Sequence, residues 1–475
     1  MTKKNRDELV PWFGGESTPG KWGSWTGPPL AIFWDQSLLW GLLCVETLSR
    51  AGIPYRLLSS SDIAEGQLEK FRIVLVPGGW AAHKARSLGE AGKKLIAGFL
   101  EGGGAYIGFC GGAGMALSSP PAIFLTPIER MPLAERLPSA SGQIHINGAL
   151  SHPSWKDLPP EIPVSVWWPS QFRFSSTDDS ICLASYADPG TDFQVADLRV
   201  SDLDGEVSWP ELESAYGINL DPARIKGHPA IIEVPKGKGR MVLSYAHLET
   251  PGDTWGNQLF FQILGYLNEI SEKARPSEKV RAIKGGQFPP YRIALPDKRI
   301  WSNICEAGKA ASDLIDFGEA NLLWNWRRPW LLNWRRGIRG FECGTLAVTL
   351  SYMAALKEKL EARRQCAVPA RDFGSASVPC PDWPDRAGKL EAAAREFCTL
   401  AKRLLLEEKF ATQTAVLSKL GKVNDRVDTL RGALFGNRMN HSGLCRALFD
   451  LIDVMLLDML RAANPPDWMR REPKS

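Results

Sequence analysis

Three short stretches of this 475-residue chain hold residue types that can do chemistry together. In "YIGFCGGAGMA", residues 106–116, Cys110 follows a short apolar run and has Gly108 two positions before it and Gly112 two after. That spacing suits a sharp strand-to-helix turn, where small neighbours tolerate a strained central residue and the following helix points its amino terminus at the sulfur. Such an end stabilises a thiolate and supplies N–H donors to an oxyanion. The other reading of the same letters is a small core cysteine at a crowded strand end. "VLVPGG" ends an earlier apolar run in Gly78 and Gly79, whose backbone N–H groups can approach an oxyanion closely. "SYAHLE" places His247 and Glu249 at the end of a later one, so that a carboxylate can orient an imidazole acting as general base.

The elements that must position these residues follow from periodicity. "LAIFW", "YRLLS", "RIVLVPGG" and "AYIGF" read as strands. "LLWGLLCVETLSRAG" and "SLGEAGKKLIAGFLEGGG" read as helices stopped by glycine. Strands apolar on both faces and alternating with helices predict a doubly wound, mainly parallel sheet. From about 120 to 235 the pattern is irregular and richer in proline, with strand-like "VSVWW" and "AIIEV". The separation of 137 positions from Cys110 to His247 leaves room for an insertion over the site. The segmentation is a lead-in over 1–29, an α/β domain over 30–270, a charged, proline-bearing linker over 271–298 and a helical bundle over 299–475.

Residues 30–270 resemble the class I glutamine amidotransferase-like superfamily, and within it the amino-terminal domain of some biotin-protein ligases, through the Pro-Gly-Gly, "GFCGGAGMALS" and "LSYAHLE". The resemblance implies a flavodoxin-like sheet with Cys110 as nucleophile, His247 as base and Glu249 as its orienting acid, while Gly78, Gly79 and Gly111 form the oxyanion site. Glutamine-hydrolysing members usually carry Gln or Glu four residues past the cysteine. Gly114 stands there in this chain, so glutamine is not the expected substrate. No ligase-sized α/β domain follows, and "GKGR" at 237–240 fits a turn, so biotin ligation is not expected. The expected activity is that of an amidase-like hydrolase on an amide or related C–N bond of a small molecule or peptide. The alternative is a non-catalytic small-molecule-binding or regulatory module.

Leu346, Leu350, Met353, Leu356 and Leu360 form a helical seam, as do Leu390, Ala393, Phe397, Leu400 and Leu404, and Val416, Leu420, Val423, Val427 and Leu430. An antiparallel all-α bundle that docks a protein partner is expected. Net charge is +4, with about 35 basic and about 24 acidic side chains in residues 271–475, which permits an anionic partner without requiring one. Four tryptophans and five arginines fall between Trp324 and Arg339. Tryptophans packed in the bundle beside snorkelling arginines account for them, and nucleic acid is not the expected partner.

Nine scattered cysteines, without C-x-x-C or zinc spacing, predict reduced thiols and no structural metal, and no cofactor is expected. No run of about 18 apolar residues predicts a membrane span, and a cytoplasmic location is expected. His83, His152 and His228 read as structural or solvated, and Asp35 as either a site-edge carboxylate or a helix cap.

Overall fold

The computed structural model describes residues 25, 27–120, 122–173, 179–203, 207–275, 296–366, 382–413, 423–436 and 442–463, with the backbone alone over 362–366. Among these, residues up to 275 form one compact unit and those from 296 another.

The first unit begins with β1 (Leu30–Phe33), α1 (Leu38–Arg50), β2 (Tyr55–Leu58), α2 (Ser60–Ala64), β3 (Ile73–Val76), α3 (Ala81–Glu101), β4 (Ala105–Phe109) and α4 (Gly111–Ala116). Every residue of β1, β3 and β4 is buried, as strands covered on both faces must be. The residues that follow supply β5 (Glu129–Arg130), β6 (Ala140–Gly148), β7 (Glu161–Trp167), β8 (Phe172–Arg173), β9 (Ile181–Pro189), β10 (Gln194–Val195), β11 (Leu198–Arg199), α5 (Trp209–Tyr216) and β12 (Pro229–Lys236). The unit closes with β13 (Gly239–Ser244) and α6 (Thr254–Ala274).

The main sheet runs β11-β10-β6-β9-β12-β13-β4-β3-β1-β2, with β7 paired to β6. Strands β13, β4, β3, β1 and β2 pair in parallel and form the doubly wound part of the fold. The irregular middle of the sequence is an antiparallel extension, joined where β12 pairs with β13. One face is a cluster in which Val74, Val76, Tyr106, Met241 and Leu243 meet Leu88, Ile96 and Phe99 of α3. On the other, Phe109 lies edge-on to Phe260 of α6, 5.2 Å between ring centres. Helix α3 is two pieces meeting at Gly89 (φ 64°, ψ 179°), a conformation that suits glycine.

Register brings the three motifs together. Val76 pairs with Gly108, Gly108 with Leu243, and Phe109 with Ser244. Pro77-Gly78-Gly79, Cys110 and the segment holding His247 and Glu249 therefore all leave the sheet at the carboxyl ends of adjacent parallel strands, where ligands of open α/β sheets bind.

The second unit holds α7 (Lys298–Ala320), β14 (Trp324–Arg328), β15 (Leu331–Trp334), α8 (Phe341–Cys366), α9 (Trp383–Gln413), α10 (Asp425–Phe435) and α11 (Gly443–Ala463). The first seam is buried throughout. In the second, Leu390, Phe397 and Leu404 are buried while Ala393 and Leu400 are half-buried. Val416 and Leu420 of the third lie outside the described residues. The Trp/Arg-rich segment departs from the all-α expectation. It is an antiparallel hairpin, with Trp324 paired to Trp334 and Asn325 to Asn333. Buried Trp324 donates its indole N–H to the Ile315 carbonyl at 3.0 Å. Pro329 between two short β-favouring runs supplies the turn, and pairing overrides helical continuity.

Glycine at the elbow is a steric requirement. A Cβ on Gly112 would fall 2.0 Å from the Val76 carbonyl oxygen, whereas one on exposed Gly98 in α3 meets nothing within 4 Å. Gly112→Ala is expected to lower unfolding stability by about 2 kcal/mol or more. Gly98→Ala should leave it unchanged or raise it by up to about 1 kcal/mol. Chemical denaturation of the two variants checks the contrast.

Candidate functional site

Cys110 closes β4 and caps the amino terminus of α4, with φ 48° and ψ −105°. Positive φ is uncommon for a residue with a side chain and is held here by packing on both sides. The Cys110 N–H donates to the Ser244 carbonyl at 2.8 Å, and the Gly114 N–H donates to the Cys110 carbonyl at 2.8 Å. A Cβ on Gly108 would sit 2.7 Å from the Ala113 nitrogen, and one on Gly111 only 1.8 Å from the Gly79 oxygen. The elbow and the Pro-Gly-Gly loop are therefore in backbone contact.

His247 and Glu249 are both fully buried. The imidazole donates from Nδ1 to Glu249 Oε1 at 2.7 Å, which leaves Nε2 with no hydrogen bond. The Cys110 thiol stands beside Nε2 without completing one, and is among the groups that act on the ring electrostatically. Burial alone pushes the imidazole down. The Glu249 carboxylate and the Cys110 sulfur outweigh it and raise His247 to about 10.

The backbone fixes the pair in three further ways. The His247 N–H donates to the Ser165 carbonyl at 2.8 Å. The Thr47 hydroxyl donates to the Glu249 carbonyl at 2.8 Å. The Asp253 carboxylate accepts from the Ser165 N–H at 2.7 Å and caps α6 through the Gly256 N–H at 3.0 Å. Trp40 lies over the His247 ring with centres 4.6 Å apart, and Trp168 meets Trp40 edge-on at 6.1 Å.

All six residues read from the sequence gather at this point. A Cβ on Gly78 would be 3.3 Å from His247 Cε1 and 3.0 Å from Trp40 Cγ. Gly79 (φ 108°) touches Gly111, which opens α4 and whose N–H has no acceptor within its own helix.

The remaining candidates lie elsewhere in the network. Asp35 is a tie between elements: its carboxylate accepts from the Ser60 N–H at 3.1 Å and from the Ser87 hydroxyl. His152 is locked between Ser154 at 2.7 Å and Glu233 at 2.9 Å. His83 is buried beside Trp80, and His228 is half-buried. Among the described residues, no cluster of three or more metal-ligating side chains occurs and no helix is long and apolar enough to cross a membrane.

Sequence reasoning missed Trp40, which comes from α1 with no motif, and Lys84. Lys84 is fully buried and donates to the Ser37 hydroxyl at 2.5 Å and to the Asp35 carbonyl at 3.1 Å. It also missed Tyr245, in plain view within "SYAHLE", and Arg130 and Arg136 from the insertion.

The class of protein is thus a doubly wound α/β protein with a cysteine on a strand-to-helix elbow and a buried His-x-Glu pair one strand away. No protein-family model matches the chain, and neither does any curated protein. Among solved structures it is similar to a candidate GMP synthase component from Thermoplasma acidophilum, at 13% identity and a TM-score of 0.33, over 54% of this chain and 100% of that one. A glutamine amidotransferase from Thermotoga maritima is similar at 14% identity and a TM-score of 0.28, over 55% of this chain and 95% of that one. A candidate ThuA-like protein from Bacteroides uniformis matches at 10% and 0.33, over 52% and 94%. These neighbours include glutamine amidotransferase-like proteins, and at such values they assign no activity to this chain.

A histidine raised from the ordinary 6.5 to about 10 stabilises the fold fully below pH 6.5 and progressively less as pH climbs through about 10. The difference in melting temperature between the native protein and His247→Gln should therefore narrow between about pH 7 and about pH 10. A constant difference over that range would contradict the raised imidazole.

Proposed function

We propose that the protein is a cysteine-dependent, amidase-like hydrolase that cleaves an amide or related C–N bond, with Cys110, His247 and Glu249 as its triad. The observation that carries this reading is the state of the His247 ring. Nδ1 is committed to Glu249, and the one nitrogen left over, Nε2, is buried beside Cys110.

In this reading His247 holds the thiol proton as an imidazolium, and the Cys110 thiolate attacks the acyl carbon. The oxyanion forms against the backbone of Gly78, Gly79 and Gly111. The C–N bond breaks as Nε2 gives its proton to the departing nitrogen, leaving a thioester. Neutral His247 then takes a proton from water as its oxygen attacks the thioester. The C–S bond breaks, the acid leaves, and the thiolate and imidazolium are restored. The net change is amide plus water to acid plus amine. Glu249 holds the ring in the required tautomer and supports its positive charge. The resemblance of "GFCGGAGMALS" and "LSYAHLE" to the amino-terminal domain of biotin-protein ligases adds support, and Gly114 argues for a substrate other than glutamine.

Iodoacetamide near neutral pH, followed by mapping of the modified residue, tests the reading. Burial pushes the Cys44, Cys343 and Cys445 thiols up, and Cys398 to about 12, so these should stay unmodified in the folded protein. Exposed Cys305 serves as an internal reference. Cys110 should react faster than Cys305, about tenfold slower after His247→Ala and only about threefold slower after Glu249→Gln. A Cys110 that stays unmodified while the protein is folded would sink the hydrolase and leave the non-catalytic binding module.

A further inference from the structure

Beside the elbow lies a cluster of polar side chains that the proposed chemistry does not use. At its centre is Tyr245, the residue after β13, whose hydroxyl is buried and has no hydrogen-bond partner. Ser170 stands next to that hydroxyl without completing a bond, and instead accepts from Arg130 Nε at 2.9 Å. The Arg130 guanidinium carbon lies 5.5 Å from the centre of the Tyr245 ring. Arg136 is half-buried within electrostatic reach of both Arg130 and Tyr245, and its buried Nε has no partner.

Arg130 is exposed and Arg136 half-buried, and their two like charges act on each other. Among the described residues neither Arg130 nor Arg136 forms an ion pair. Glu129, the acid beside Arg130 in the chain, is taken by Arg173. Burial and the Arg130 charge push Arg136 down to about 10, the direction of an uncompensated cation. The group thus carries two guanidinium charges that no described carboxylate pairs with and one unused donor, the Tyr245 hydroxyl.

It is also next to the nucleophile. Gly114 sits one helical turn past Cys110, and a Cβ there would lie 3.8 Å from the Tyr245 hydroxyl and 3.8 Å from Ala81 Cβ, ordinary contact with room to spare. Cys110 itself acts electrostatically on Tyr245 and on Tyr186, whose hydroxyl donates to the Ser170 carbonyl at 2.9 Å.

From this arrangement we propose that Arg130, Arg136 and Tyr245 form an anion subsite that receives a carboxylate group of the substrate about one helical turn from Cys110. The planar forks of the two guanidinium groups match a carboxylate, and the phenol donates to it. This inference rests on reading Cys110 as the nucleophile, and it narrows the substrate to an amide or related C–N compound bearing a carboxylate.

The test compares iodoacetate with iodoacetamide, two alkylating reagents that differ by one negative charge, reading modification at Cys110. The native protein should show a higher iodoacetate-to-iodoacetamide rate ratio at Cys110 than at exposed Cys305. Arg130→Gln with Arg136→Gln should lower the Cys110 ratio by about tenfold, the iodoacetamide rate correcting for any change in the thiolate itself. Gly114→Glu, which places a carboxylate of the protein beside the Tyr245 hydroxyl, should lower it similarly and serves if the double variant does not fold. A Cys110 that reacts with both reagents at a ratio unmoved by these changes overturns the subsite while leaving the nucleophile intact. A Cys110 that reacts with neither overturns the hydrolase, and calorimetric titration with succinate then decides the subsite separately. Saturable binding lost in the double variant upholds it, and no binding by the native protein overturns it.

Discussion

The site depends on one strained residue. Cys110 is held at positive φ because the chain must turn from β4 into α4 within a single residue. Such a conformation costs about 1–3 kcal/mol and persists only where its surroundings leave no alternative. Here the surroundings are backbone. Gly108, Gly111 and Gly112 sit so close to Ala113, Gly79 and Val76 that a methyl group on any of them would collide. The glycines thus do two things at once: they let the turn form, and they draw the Pro-Gly-Gly loop against the first turn of the helix. An elbow made this way displays its side chain at the ligand-binding edge of the parallel sheet.

The second constraint is electrostatic. Burying an imidazole and a carboxylate together is costly unless each supports the other, and the 2.7 Å contact between His247 and Glu249 provides that support. Its position is set from three directions: Thr47 from α1, Ser165 from β7 and the Asp253 cap of α6. Trp40 closes over the ring and Trp168 of the antiparallel extension meets Trp40. The insertion between Cys110 and His247 therefore reaches the site itself, in addition to widening the sheet.

How much of this was legible depended on whether the signal was local. Each parallel strand announces itself by a run of apolar residues, and each motif stands at the end of such a run, so the fold class and the gathering of Cys110, His247 and Glu249 follow from neighbours in sequence. The close approach of Gly111 to Gly79 was foreshadowed only by the absence of side chains at both. Trp40, Arg130 and Arg136 are brought to the site or its margins by tertiary pairing, and nothing within a few residues of any of them marks its destination. The Trp/Arg-rich segment shows the opposite failure. Its composition was conspicuous, but alternation over strands of only five and four residues is too short to distinguish from a turn of helix. The role of Asp35 was undecidable from its place after β1, because its partners Ser60 and Ser87 come from α2 and α3.

In the proposed triad, Cys110 and Glu249 together hold His247 as a buried imidazolium at neutral pH. Nitrogen-15 NMR of the histidine side chains across pH measures this directly. His247 should stay protonated on both nitrogens well above pH 7, titrate near 10, and shift toward lower pH when either Cys110→Ala or Glu249→Gln is introduced. A His247 that titrates near the ordinary 6.5 and is indifferent to both substitutions would contradict it.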